Sequence, residues 1–308
     1  MSLTRQRAIL AKIETVEGTD AIPVVGTNAI LCGNITVTPM AGSTVDRQMT
    51  YPDFSSTPKA HVNKFVSVQF DVEMAGAGAA GTAPKYGPLL RACAMSETVS
   101  AGVSVVYQPV STGFENVSIY ANEGGTLHML VGAKGTVSFV LNKDGIPVMR
   151  FVMTGRWTTP SAVALAGLTL TGWTPGIPMG KVNTPTFTVD GFAAVLESLQ
   201  IDLGNAIVHR DRPGAEYVAI TGRTVAGSMS FEAPALGTKD FFGIAAANTT
   251  VARQIIHGTV AGNIIQIDEP KLQLLQPSYA DGDGVRLLSM NTQSNRNAGD
   301  DELVLTVK

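Results

Sequence analysis

Val66, Val68, Phe70, Val72 and Met74 alternate with Ser67, Gln69, Asp71 and Glu73. Successive side chains of a strand point to opposite faces, so this period of two makes one apolar and one polar face and excludes a helix. Val137, Phe139 and Leu141 alternate in the same way with Ser138 and Asn142, and Val148–Met153 is a further β-rich run. With Gly, Pro, Asn and Asp at the breaks, the pattern is that of antiparallel sheet with one buried face. Asn142-Lys143-Asp144-Gly145 reads as a hairpin turn, because Asp-Gly accommodates positive φ cheaply. Helix is scarce. Pro88–Met95 is one candidate, with Pro in the first turn where its missing N–H costs nothing, and Lys239–Ala245 is another. Arg7–Glu14 fits either a helix or an extended arm.

The 308 residues suffice for a substantial core and, by length, for two domains. Charged residues make up only 15% and hydrophobic ones 44%, which excludes a disordered chain and a long helical rod. No apolar run reaches the roughly 18 residues a membrane helix needs. Ala8–Leu10 is too short for a signal-peptide core, so the expected setting is the cytoplasm, with no membrane partner. Cys32 and Cys93 are far apart, which reads as two reduced thiols rather than a disulfide framework or zinc site. A formal net charge of −3 gives no global attraction for nucleic acid.

The elements recur in order. Ile30, Ile35 and Val37 are echoed by Leu196, Ile201 and Leu203, and Val68 and Phe70 by Met229 and Phe231. A helix candidate follows in each copy, and Asp144-Gly145-Ile146 matches Asp283-Gly284-Val285. The expected organisation is an N-terminal arm (1–22), a first β module (23–160), a Gly-, Pro- and Thr-rich linker (161–183) and a second β module (184–308). The fold class is all-β, with one or two short helices.

Motifs that resemble chemistry fail on context. Gly76-Ala77-Gly78-Ala79-Ala80-Gly81 satisfies G-x-G-x-x-G, but Pro84 and Gly87 interrupt the helix a dinucleotide site needs, so it reads as a flexible loop. His209-Arg210-Asp211-Arg212 lacks the other kinase elements and reads as a solvated turn. Asp281-Gly282-Asp283-Gly284 has Val285 where a calcium loop needs a third ligand, which leaves a hairpin turn. The four histidines are scattered and no G-x-S-x-G occurs. The expectation is a protein that is not an enzyme, with no catalytic residue, metal or cofactor.

Several blocks resemble one family. Leu10-Ala11-Lys12-Ile13-Glu14-Thr15 with Glu17-Gly18-Thr19-Asp20 and Pro23 is similar to the start of major tail (tail tube) proteins of long-tailed, non-contractile bacteriophages. Tyr86–Cys93, Ser96–Val99, Tyr107–Ser111 and Gly132–Phe139 resemble the same family. So does the closing stretch Pro270–Leu274, Pro277-Ser278-Tyr279, Asp281, Asp283-Gly284 and Gly299–Glu302. The similarity spans most of the chain outside the linker. It implies tandem β-sandwich or β-barrel tube modules in a virion tail protein that self-assembles into stacked rings. Three chains of two modules would fill six positions. The tube would be a conduit for DNA ejection, with tape measure, tail terminator and distal tail proteins as partners. A tail terminator or a capsid decoration protein is the alternative.

A conduit must let duplex DNA pass without holding it, which a wall poor in Lys and Arg achieves. Gln69, Asp71 and Glu73, with Ser228, Ser230 and Glu232 in the second copy, are the candidate lumen-facing residues. An outward solvated face is the alternative reading of the same pattern. The loop Ala75–Ala83 and the arm Ser2–Pro23 are candidates for contacts between rings, ordering only on assembly. On that expectation, removing residues 2–20 leaves a folded protein.

Overall fold

The computed structural model describes residues 6–164 and 167–308; the start of the arm and linker positions 165 and 166 lie outside the described residues. The first half comprises β1 (Arg7–Ile13), β2 (Ala29–Ile30), β3 (Gly33–Asp46), β4 (Lys59–Glu73), α1 (Gly87–Ala92), β5 (Met95–Ser100), β6 (Ser104–Pro109), β7 (Val117–Glu123), β8 (Thr126–Asn142) and β9 (Val148–Trp157). The linker contributes β10 (Ser161–Ala162). The second half comprises β11 (Thr186–Val189), β12 (Phe192–Ala193), β13 (Leu196–Asp202), β14 (Asn205–Arg212), β15 (Ala215–Arg223), β16 (Ala226–Glu232), α2 (Phe241–Ala246), β17 (Thr250–His257), β18 (Ile265–Gly282), β19 (Val285–Ser294) and β20 (Val304–Val307). The fold is all-β with two short helices.

One order of pairing occurs twice. In the first half it runs β2-β1-β7-β8-β9-β4-β3, every pair antiparallel. In the second it runs β12-β11-β17-β18-β19-β16-β13, again antiparallel. The helices hold the same place, α1 after β4 and α2 after β16. The outer part of the β3–β4 hairpin corresponds to the separate hairpin β14–β15. The ladder breaks in each at the same point, between Thr38 and Ala41 in β3 and between Asp202 and Asn205 in the second half. The β5–β6 hairpin has no counterpart and pairs through β6 with β20.

The strands β8 and β18 are long enough to serve two layers. The N-terminal part of β8 pairs with β7 and that of β18 with β17, while their C-terminal parts pair with β9 and β19. Beyond its β7 contact, β8 joins the halves, since Ser138–Asn142 pair with Asp202–Ser198 of β13. The result is one continuous run, β3-β4-β9-β8-β13-β16-β19-β18. Its apolar side carries Phe70, Phe151, Phe139, Ile201, Phe231 and Met290 in a single buried cluster that crosses the junction. Each fully buried side chain of this size contributes about 1.5–3 kcal/mol.

The expected turns and helices are present. Gly145 N–H donates to Asn142 O at 3.1 Å, with Asp144 at φ 58°, and Asp283 and Gly284 both have positive φ. α1 carries Pro in its first turn, and the Asp240 carboxylate caps α2 by accepting from Gly243 N–H at 2.8 Å.

Four expectations are corrected. The arm is not separate from the first module: Arg7–Ile13 pair along their whole length with β7, and Ile9 is 1% exposed. The glycine-rich loop is seated within the chain, where Gly76 N–H donates to Asn263 Oδ1 at 2.7 Å and Gly78 N–H to Gly262 O at 2.9 Å. A Cβ at Gly76 would collide with the Gly262 carbonyl, so that close approach needs glycine. The linker is laid onto both halves: Trp173 Nε1 donates to Ala29 O, Met179 is buried, and Ile177 O accepts from His257 Nε2. His209–Arg212 lie in β14 rather than in a solvated turn, and His209 is buried.

Candidate functional site

Side chains directly opposite in register share a face of a sheet. Applied to the continuous run, this rule places all six sequence-nominated residues on its non-core face. Glu73, Val148, Val140, Gln200, Ser228 and Asn291 form one row across β4-β9-β8-β13-β16-β19. Asp71, Arg150, Ser138, Asp202 and Ala226 form the next, and Gln69, Val152 and Thr136 a third. A fourth row, Asn142, Ser198, Ser230, Ser289 and Ser278, is polar throughout. Glu232 lies opposite Leu287 at the margin. Two groups of residues more than 150 positions apart thus become one surface, because β8 pairs with β13.

The six are not equivalent. Gln69, Glu73, Ser228 and Glu232 are exposed and Ser230 is half-buried, its hydroxyl 2.9 Å from that of Ser289. Asp71 is buried beneath the guanidinium opposite, with Arg150 Nε donating to Oδ1 at 2.8 Å and Nη2 to Oδ2 at 3.0 Å. Asn34 Nδ2 also donates to Oδ2 at 3.0 Å. Burial opposes ionisation of Asp71, but the Arg150 and Asn34 hydrogen bonds outweigh it and hold the carboxyl below the usual carboxylate range. Asp71 therefore neutralises Arg150 and presents no free charge. Glu73 Oε2 accepts from the linker Gly176 N–H at 2.8 Å, and Asp202 Oδ1 from Gly204 N–H at 3.0 Å.

Hydroxyl and amide groups dominate what remains. A shallow trough of about 480 Å³ on the second half is lined by Ser198, Ser228, Ser230, Ser278, Ser289 and Asn291. Among the residues of the four rows, the single cation is Arg150. Where β14–β15 folds over the far end of the face, Lys134 Nζ donates to Glu17 Oε1 at 2.9 Å and to Val218 O at 3.0 Å. Arg156 is likewise engaged with Gly18 O. Among the described residues of the four rows, carboxylates outnumber cations, with Asp71, Glu73 and Asp202 against Arg150.

Among the described residues no group of three or more His, Cys, Asp or Glu is placed to hold a metal ion. Burial pushes the Cys32 thiol up to about 12, far from a reactive thiolate. Sequence reading missed the contributions of β8, β9, β13 and β19. Part of the signal was available, since core-facing Val137, Phe139 and Leu141 require Thr136 and Ser138 to point the other way.

No family model matches the chain, and no curated protein matches it.

Proposed function

We propose that this chain is a structural subunit of a hollow tube, of the kind that forms the tail of long-tailed, non-contractile bacteriophages. The observation that carries this reading is the continuous run of strands with a sealed apolar side, a polar side whose single cation is neutralised, and, among the described residues, an open strand edge at each end. Sheets of this kind leave their outer strands as liabilities unless something covers them, and closure on further copies removes both. The repeated pairing order supports two copies of one module per chain. Three chains would then supply six similar positions around a ring, and the rings would stack into the tube of a virion tail.

In this reading the polar face lines the bore. Duplex DNA carries one negative charge per about 1.7 Å of its axis, and a lysine-rich wall would retain it by counterion release. Gln69, Ser228 and Ser230 offer hydrogen bonds that water replaces without penalty, and Glu73 and Glu232 repel only within about 8 Å at physiological salt. The work is done by shape and self-association. The tape measure, tail terminator and distal tail proteins are the partners that the sequence resemblance proposes.

Negative-stain imaging and sedimentation of the purified protein across a concentration series test the proposal. Hollow filaments of regular axial repeat, or rings of three chains, are the expected result. Solid fibres, or discrete assemblies without a bore, would overturn it.

A further inference from the structure

The join between β8 and β13 shows what each half needs from a neighbour, and one such join is missing at each end of the chain. In the internal join, β13 runs along the edge of β8 that β7 has left. Leu199, Ile201 and Leu203 become 1%, 0% and 0% exposed there. Leu203 N–H donates to Val137 O at 3.0 Å, and Asn205 Nδ2 donates to Cys93 O at 2.7 Å and to Gly135 O at 3.0 Å. The C-terminal turn of α1 is thereby closed, with Ala92 and Cys93 fully buried.

Neither corresponding surface is covered at the ends. Beyond Gln273, β18 pairs with β19 on one side, and among the described residues no strand lies on the other. Tyr279 is 56% exposed and Ala246, at the end of α2, is exposed as well. An open cleft of about 540 Å³ between α2 and β18 is lined by Leu236, Phe242, Ala246 and Tyr279 among others. On β3, the inner stretch Gly33–Thr38 pairs, among the described residues, with β4 alone. Its Ile35 and Val37 are only half-buried, and Met40, at the bend, is 43% exposed.

We propose that β3 of one copy adds to β18 of a second copy, Ile35, Val37 and the bend at Met40 closing the α2–β18 cleft as Leu199–Asn205 close the α1–β8 cleft within the chain. The internal join sets the register. The pairing shifts the match read from sequence by two residues: Thr38 precedes the ladder break as Asp202 does, so Thr36 corresponds to Gln200 rather than Asp202, and Gln200 pairs with Val140. Val148, four residues after Asp144, pairs with Val140, and Leu287, four after Asp283, pairs with Ala280, which places Thr36 opposite Ala280 on the polar face and Val37 beside Tyr279 on the apolar one. The match is also chemical, because Ile35, Val37 and Met40 meet an apolar cleft, and the main-chain groups of two unpaired edges meet each other. The inference rests on the self-association proposed above and specifies the surface through which it occurs.

Directly opposed residues bring their Cβ atoms to about 4.5–5.5 Å, close to the reach of a disulfide. The test combines Thr36→Cys in turn with Ser278→Cys, Tyr279→Cys and Ala280→Cys, on a Cys32→Ser background in the full chain. As the control it uses Thr36→Cys with Asp211→Cys, on the exposed part of β14. One of the three pairs should give intermolecular cross-links at least about tenfold faster than the control. Tyr279→Asp alone should raise the concentration needed for assembly by about tenfold or more while leaving the melting temperature of the monomer nearly unchanged. If copies assemble but all three pairs cross-link at the control rate and Tyr279→Asp assembles normally, this join is wrong and the tube proposal survives. A wild-type chain that stays monomeric at every concentration overturns both.

Discussion

Glu269 is a buried carboxylate of the second half held by a buried guanidinium. It is 1% exposed and accepts from Arg253 Nε at 2.6 Å and from Ser294 Oγ, while Arg253 is itself 2% exposed. Removing one partner of a buried pair strands the other charge, at a cost of about 3–5 kcal/mol, whereas replacing both with apolar groups is often nearly neutral. Glu269→Ala should therefore lower the unfolding free energy in urea by about 3–5 kcal/mol, and Arg253→Met with Glu269→Leu by much less; equal losses would show that the pair is net stabilising. His257 gives the second residue-level prediction. Its Nε2 donates to Ile177 O at 3.1 Å and its Nδ1 lies 2.9 Å from Thr184 Oγ1, tying the linker to β17. Burial holds the imidazole below its ordinary value of 6.5 despite the hydrogen bond to Ile177. The folded state thus takes up this proton less readily than the unfolded chain, so its contribution is complete above about 6.5 and is lost as the pH falls below it. Melting temperatures between about pH 7.5 and 5.5 should fall more steeply for the wild type than for His257→Asn. Parallel profiles would remove His257 from the acid response.

At the scale of elements, β1 separates what local pattern can decide from what pairing decides. Arg7–Ile13 carries apolar residues at spacings that suit a helix as well as a strand, and only the seven-residue pairing with β7 settles the matter. Ile9, at 1% exposure, should cost about 2–5 kcal/mol when changed to Ala. Removal of residues 2–20 should abolish cooperative unfolding rather than leave a folded subunit; a deletion variant with wild-type thermal behaviour would restore the arm reading. β4, by contrast, was legible at once, because Val66–Met74 alternates without interruption against a core that needs only one face. The order of elements and the two hairpin turns were legible for the same reason. What stayed hidden depends on contacts between distant segments: the β8–β13 join, the seating of Gly76 against Gly262, and the burial of Asp71 under Arg150. His209 misled because the three charged residues that follow it suggested solvent, while its ring packs 5.5 Å from Phe65 and its Nδ1 lies 2.8 Å from Asn63 Oδ1.

Across the whole molecule, the useful property is an area of sheet whose one cation is neutralised and whose remaining charges are carboxylates, and that property responds sharply to substitution. Gln69, Ser228 and Glu232 occupy the polar face at separate rows, and all are exposed, so Lys at each is accommodated without disturbing the core. Asp71 is unsuitable for this purpose, because changing it would free Arg150 and destabilise β4 and β9 together. The wild type should show no measurable retention of duplex DNA at about 0.15 M salt, where only charges within about 8 Å act on a passing phosphate. The variant carrying Gln69→Lys, Ser228→Lys and Glu232→Lys should bind, and the logarithm of its affinity should fall with the logarithm of salt at about −0.9 per phosphate neutralised. Up to three contacts per chain would give a slope approaching about −2.7, read by fluorescence anisotropy of a labelled duplex over a salt series. Because the three positions share one surface, the slope should grow stepwise as the lysines are added singly, in pairs and together. A wild type that already binds with a steep salt dependence would contradict a face that lets DNA pass. So would three lysines that leave both affinity and slope unchanged in assembled protein, since the polar face would then lie away from the bore.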